Sequence, residues 1–250
     1  MTDQPHFDIP ENQAKETETV EQYPFRRSIG TYIVLVFMLA IFPGLNLLLG
    51  FLTDPEIDFE RFDLVTFLII PTLIMLWLML LTIVLAVWRE KASPSSIGLG
   101  RLRLIHLPIA LLFLIGSNFL LVGLEKVLRT LGLSTGANIE QMVAQAGDIP
   151  IWWLITSLSA AVCEEVVFRG YLLTRIKAVM NRGWFWPVLL STISFASGHL
   201  YQGWGGGILL FAYGLLFCGL YIKTKSIWPG IIAHFIQNFS AIYLFKYYNG

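Results

Sequence analysis

The chain has 250 residues, 56% of them hydrophobic and only 14% charged, and its 17 basic and 17 acidic side chains cancel. That is too apolar for a soluble domain of this length and describes a polytopic membrane protein, whose first partner is the lipid bilayer. No nucleic-acid partner is expected.

Residues 1–28 are polar, with Asp3, Asp8, Glu11, Glu16, Glu18 and Glu21 set against Lys15 before Arg26. They lack the apolar stretch of a cleaved signal peptide, so a disordered tail is expected ahead of the first span. Seven apolar windows follow, at 29–52, 64–88, 104–124, 151–173, 185–201, 205–222 and 227–246. Each is close to the length of about 20 residues that crosses the hydrocarbon core. The expected fold is therefore all-α, a transmembrane bundle of about seven helices, with six to eight compatible with the pattern. Gly203, Gly205, Gly206 and Gly207 blur the border between the fifth and sixth windows and could form a short re-entrant turn. Cys163 and Cys218 fall inside spans and read as small buried hydrophobes, not as a disulfide.

The loop charges orient the bundle. Arg26 and Arg27, then Arg89, Lys91, Arg101 and Arg103, then Arg175, Lys177 and Arg182, and finally Lys223 and Lys225 occupy alternate connections. The positive-inside rule makes these connections cytoplasmic, giving N-in and C-out for seven spans. The other connections carry Asp54, Glu56, Asp58, Glu60 and Asp63, with Arg61, Lys126, Arg129 and Lys246 as their cations.

Residues 29–149 read as scaffold. Pro43, Pro71 and Pro108 interrupt its apolar runs, which membrane helices tolerate when neighbours satisfy the freed carbonyls. His106, near the start of the third span, reads as a solvated or headgroup contact, and Asn118 as a hydrogen bond between helices.

Residues 150–246 read as the catalytic core, because polar side chains recur there at helical spacing. Glu164 and Glu165 stand inside an apolar run with Arg169 downstream. Intramembrane acids are costly and are usually paired, inward-facing and functional. Glu165 and Arg169 share a helix face, while Glu164 is turned about 100° away, so one carboxylate can be held ionised while the other meets a different neighbour. Phe195 with His199, and His234 with Asn238, are also four residues apart. From a rise of 1.5 Å per residue, Glu164 lies roughly 14 Å, His199 roughly 20 Å, His234 roughly 10 Å and Asn238 roughly 16 Å from the cytoplasmic ends of their spans. All four can converge near mid-membrane, on the cytoplasmic side.

A carboxylate, two imidazoles and a carboxamide in a dry site suit acyl-transfer hydrolysis. A desolvated carboxylate can take a proton from water near neutral pH, with a histidine to hold that water. A second histidine and an asparagine amide can donate to the oxyanion.

At these residues the chain resembles the intramembrane endopeptidases related to CAAX prenyl proteases and bacteriocin-processing or bacteriocin-immunity proteins, the CPBP or Abi family. Its motifs Glu-Glu-x-x-x-Arg, Phe-x-x-x-His and His-x-x-x-Asn are matched by Glu164, Glu165 and Arg169, by Phe195 and His199, and by His234 and Asn238. Phe168-Arg169-Gly170-Tyr171-Leu172 and Ser226-Ile227-Trp228-Pro229-Gly230 are similar to the family as well. The resemblance implies Glu164 as general base and His199 sharing its water. It implies Glu165 and Arg169 as positioning groups, His234 and Asn238 as oxyanion donors, and Phe195 as packing. Members have also been described as metal-dependent, and Glu164, His199 and His234 would be the zinc set. The metal-free glutamate mechanism, needing no cofactor, is the favoured expectation, since no His-Glu-x-x-His segment is present.

The expected activity is thus a CAAX-protease-like intramembrane peptidase, a hydrolase of a bacterial plasma membrane acting on a peptide or membrane-protein substrate, lipidated or not. One rival is a non-catalytic immunity or scaffold protein on the same fold. Another is a proton-coupled transporter, against which stands the lack of an internal repeat.

Overall fold

The computed structural model describes residues 27–52, 65–133, 135, 150–181 and 183–249. The acidic tail, Arg26, the connection from Asp54 to Asp63 with Arg61, and Arg182 lie outside the described residues, as does the side chain of Lys246. Seven helices are described, close to the seven apolar windows, and no strand is found among the described residues. Helix α1 covers 29–52 as Ile29–Val36, a π segment Phe37–Ile41 and Phe42–Leu52; α2 covers 65–89 as a π segment Val65–Ile69 and Ile70–Arg89. They are followed by α3 (His106–Thr130), α4 (Pro150–Met180), α5 (Phe185–Ser197), α6 (Gly203–Thr224) and α7 (Trp228–Asn249).

The two scaffold π segments have a cause in sequence. A proline ring clashes with the carbonyl four residues back in a regular helix. For Pro43 and Pro71 that residue is Leu39 or Phe67, and each lies within a π segment, where the widened turn makes room.

Five helices are long and apolar enough to cross a membrane: α1, α2, α3, α4 and, together with its leading turn, α6. Helix α7 is as long as α6, at 22 residues each, but carries His234, Gln237 and Asn238. The outer faces are apolar: Leu112 is 71% exposed, Ile115 70% and Phe119 81%. Such a belt is stable only against lipid, and the chain is an integral membrane protein. Inside the bundle α4 is the most enclosed of the five long helices, packed against α2 and α7, while α6 packs against α5 and α3. One cluster of buried side chains runs from Leu35 and Ile83 through Phe168 and Leu172 to Cys218 and Ile231; a second joins α3, α6 and α7 around Ala110, Phe217 and Ala233. Both cysteines are buried and unbridged.

The basic connections meet at one end of the bundle. Arg27 donates to the Ala178 carbonyl at 2.9 Å, Ile227 N–H to the Gly98 carbonyl at 3.2 Å, and the Trp228 indole to the Gly100 carbonyl at 2.7 Å.

Three expectations need correction. The fourth span does not end at 173; the helix runs on to Met180, so Arg175 is no loop cation but a side chain 2% exposed and paired with Glu90 at 2.8 Å. The chain from Leu173 to Met180 contains neither Gly nor Pro, so nothing stops the helix before Asn181, which takes the left-handed conformation at φ 46°. The fifth helix stops at Ser197, leaving His199 in a turn. His106 is buried and not solvated, its Nδ1 accepting from the Arg103 N–H at 3.1 Å across the turn that starts α3.

Candidate active site

Helix α4 changes register where its polar residues begin. Pro150–Glu164 is regular and Glu165–Leu172 is a π segment, all eight residues of which are buried. Isolated π turns of this kind concentrate at functional sites. Within it Arg169 Nη1 donates to Glu165 Oε1 at 3.0 Å, with the two side chains 1% and 2% exposed. This is the partnership expected from their spacing. The guanidinium is also sandwiched by aromatic faces, Phe195 at 4.2 Å and Phe217 at 4.9 Å from its central carbon. Phe195 is therefore more than packing, because it holds the cation that holds Glu165.

His234 of α7 enters between the two glutamates. Its Nδ1 lies 3.2 Å from Glu165 Oε1 and its Nε2 3.8 Å from Glu164 Oε2. Glu165 Oε1 thus faces both Arg169 and His234, whereas Glu164 Oε2 is buried and accepts no hydrogen bond among the described residues. The two carboxylates differ: Glu165 Oε1 has two partners, while Glu164 Oε2 has only the longer approach of His234, which meets both. Close backbone approach makes this possible. A Cβ at Gly230 would stand 2.7 Å from Glu165 Oε2, and one at Gly170 would stand 2.8 Å from the Ile97 carbonyl. Each of these glycines lies where a helix presses on its neighbour. The adjoining Tyr171 is fully buried and donates to Glu90, and Ile227 is 1% exposed.

His199 joins the cluster through Phe195, with ring centroids 4.8 Å apart and Nδ1 3.0 Å from the Phe195 carbonyl. Its ring also lies 6.2 Å from that of Tyr201. Asn238 sits one turn beyond His234, and its main-chain carbonyl accepts from the Trp153 indole of α4 at 3.0 Å. Beside it, Gln237 accepts from Asn118 of α3 at 2.9 Å, the interhelical bond anticipated for that asparagine. Among the described residues no three His, Cys, Asp or Glu side chains are gathered as a metal-ligand set. Glu164, His199 and His234 are thus not gathered as the three-ligand zinc set considered for them.

A second buried polar cluster went unread in the sequence. Glu90 is wholly buried; its Oε1 accepts from Thr31 Oγ1 and Tyr171 Oη, each at 2.8 Å, and its Oε2 faces Arg175 Nε at 2.9 Å and Nη2 at 2.8 Å. Arg175 donates further to the Ser96 carbonyl at 3.2 Å and Ser96 Oγ at 3.0 Å. The cluster ties α1, α2 and the turn Pro94–Ile97 to α4, immediately beyond the π segment.

Comparison with known proteins identifies the part of the chain that carries these groups. Residues 146–240 match the family model described as type II CAAX prenyl endopeptidase Rce1-like. This segment is similar to that family. It holds Glu164, Glu165, Arg169, Phe195, His199, His234 and Asn238, while Glu90 and Thr31 lie outside it. A Bacillus subtilis (strain 168) protein named "Putative membrane peptidase YdiL" is 27% identical over 101 residues, a match covering 40% of each chain. No solved structure matches.

Proposed function

We propose that the protein is an intramembrane endopeptidase in which Glu164 activates water. The observation that supports this reading is the asymmetry of the glutamate pair: Glu165 is held through Oε1 by Arg169 and His234, and Glu164 keeps a buried oxygen without a hydrogen-bond donor among the described residues. In a mechanism built on it, Glu164 removes a proton from water as the oxygen attacks the scissile carbonyl, and returns it to the leaving amine. Asn238 and His234 Nε2 donate to the oxyanion, and His199 holds the attacking water.

The basic loops at one end of the bundle, taken as cytoplasmic by the positive-inside rule, support cleavage in the cytoplasmic half of the bilayer. Substrates are peptides or membrane proteins. The test compares membrane-proteome N- and C-termini, by mass spectrometry, in cells carrying wild type or Glu164→Gln, with thermal unfolding of both purified proteins as a folding control. Termini present only with wild type support the peptidase; identical termini from two folded proteins favour an immunity or scaffold role.

A further inference from the structure

Away from the glutamates, two lysines from different helices converge on one indole. Lys177, in the last turn of α4, places Nζ 5.6 Å from the centre of the Trp184 ring, and Lys225, just past α6, places Nζ 4.7 Å from the same centre. Trp184 also lines a surface groove of about 420 Å³ between α5 and α6, together with Phe185, Val188, Leu189, Phe211 and Leu215. The groove is wholly apolar beyond the indole, and Phe185 at its mouth is 69% exposed. A hydrocarbon slot capped by an aromatic ring and two cations is complementary to one kind of molecule: a chain with a negative head.

We propose that this groove binds an anionic glycerophospholipid, an acyl chain lying along α5 and α6 and the phosphate on Lys177 and Lys225. Basic pockets between membrane helices recognise acidic head groups by this combination of charge and apolar burial. Lys225 has φ 53°, the left-handed conformation that glycine supplies at helix ends, and its N–H closes α6 on the Tyr221 carbonyl at 2.7 Å. Partial burial of its ammonium, on a residue that is exposed as a whole, and then the nearby Lys177 ammonium lower Lys225 below the ordinary lysine range. An anion between the two amines would relieve both effects.

The substitution Lys225→Gly separates binding from folding, since it relieves the backbone while removing the amine. The measurement is the thermal midpoint of delipidated protein in detergent with added dioleoylphosphatidylglycerol, dioleoylphosphatidylcholine or inorganic phosphate. For wild type, phosphatidylglycerol should raise the midpoint by several degrees more than phosphatidylcholine, and inorganic phosphate should have no effect. Lys225→Gly should match or exceed the wild-type midpoint in phosphatidylcholine and lose at least half of the phosphatidylglycerol increment; Lys177→Gln should also lose it, and exposed Lys223→Gln should keep it. The proposal is overturned if Lys225→Gly and Lys177→Gln keep the full increment, or if inorganic phosphate alone reproduces it. None of these readings depends on peptidase activity.

Discussion

Replacing Glu90 by Gln tests whether the second buried cluster anchors helix α4. The side chain is isosteric, and its remaining oxygen can still accept from Thr31 and Tyr171, so the change falls on Arg175. That guanidinium, 2% exposed, exchanges a carboxylate oxygen at 2.8–2.9 Å for an amide whose donors face its own. Breaking a buried ion pair on one side costs about 3–5 kcal/mol. Arg175 keeps its bonds to the Ser96 carbonyl, Ser96 Oγ and Thr174 Oγ1, which puts the expected loss near the lower bound, about 3 kcal/mol. At about 2–4 °C per kcal/mol for a chain of this size, the thermal midpoint in detergent should fall by roughly 6–12 °C. Arg175→Met should fall similarly, stranding Glu90 instead. The double variant leaves neither charge and should recover much of the loss, a coupling that a cycle of midpoints measures directly. A double variant that loses the sum of the two single losses, or a Glu90→Gln midpoint within about 1 °C of wild type, would refute the reasoning.

Gly230→Ala places a methyl 2.7 Å from Glu165 Oε2, so the carboxylate must move off Arg169 and His234; peptide cleavage should drop about tenfold to a hundredfold, measured as turnover in reconstituted vesicles. Asn238→Ala should lower turnover by about 10²–10³ if it donates to the oxyanion, and unchanged turnover removes it from the mechanism. Phe195→Leu removes one of the two aromatic faces from Arg169 and should cost about 1–2 kcal/mol in unfolding experiments, with Phe195→Tyr retaining most of the stability.

The helices were legible because each span is a continuous apolar window and little else satisfies the backbone in lipid. The Glu165–Arg169 pair was legible from spacing alone, since both residues lie on one element four positions apart. Glu90 was not. It stands between Arg89 and Lys91 and reads as one more loop charge; its burial depends on Arg175, 85 residues away in sequence. The signal that could have found it is the uninterrupted helix after Leu173, which carries Tyr171 and Arg175 onto one face. The place of His234 between both carboxylates also escaped the spacing argument, because periodicity orients a residue on its own helix without saying which neighbour it meets. The early end of α5 was hidden too: Gly198 is a weak stop, and apolar composition continues past it.

On the proposed reading, that early end bears on how a hydrolase in oil would obtain its water. Thirteen residues of α5 rise about 20 Å, against a hydrocarbon slab of about 30 Å. The shortfall is met by the turn and short 3-10 helix from Gly198 to Gln202 or by a local dimple in the bilayer. Peptide groups outside a regular helix are admissible at that depth only where protein or water receives them. His199 stands on this stretch, so the feature that makes α5 a poor membrane span also predicts the side from which water would reach the site.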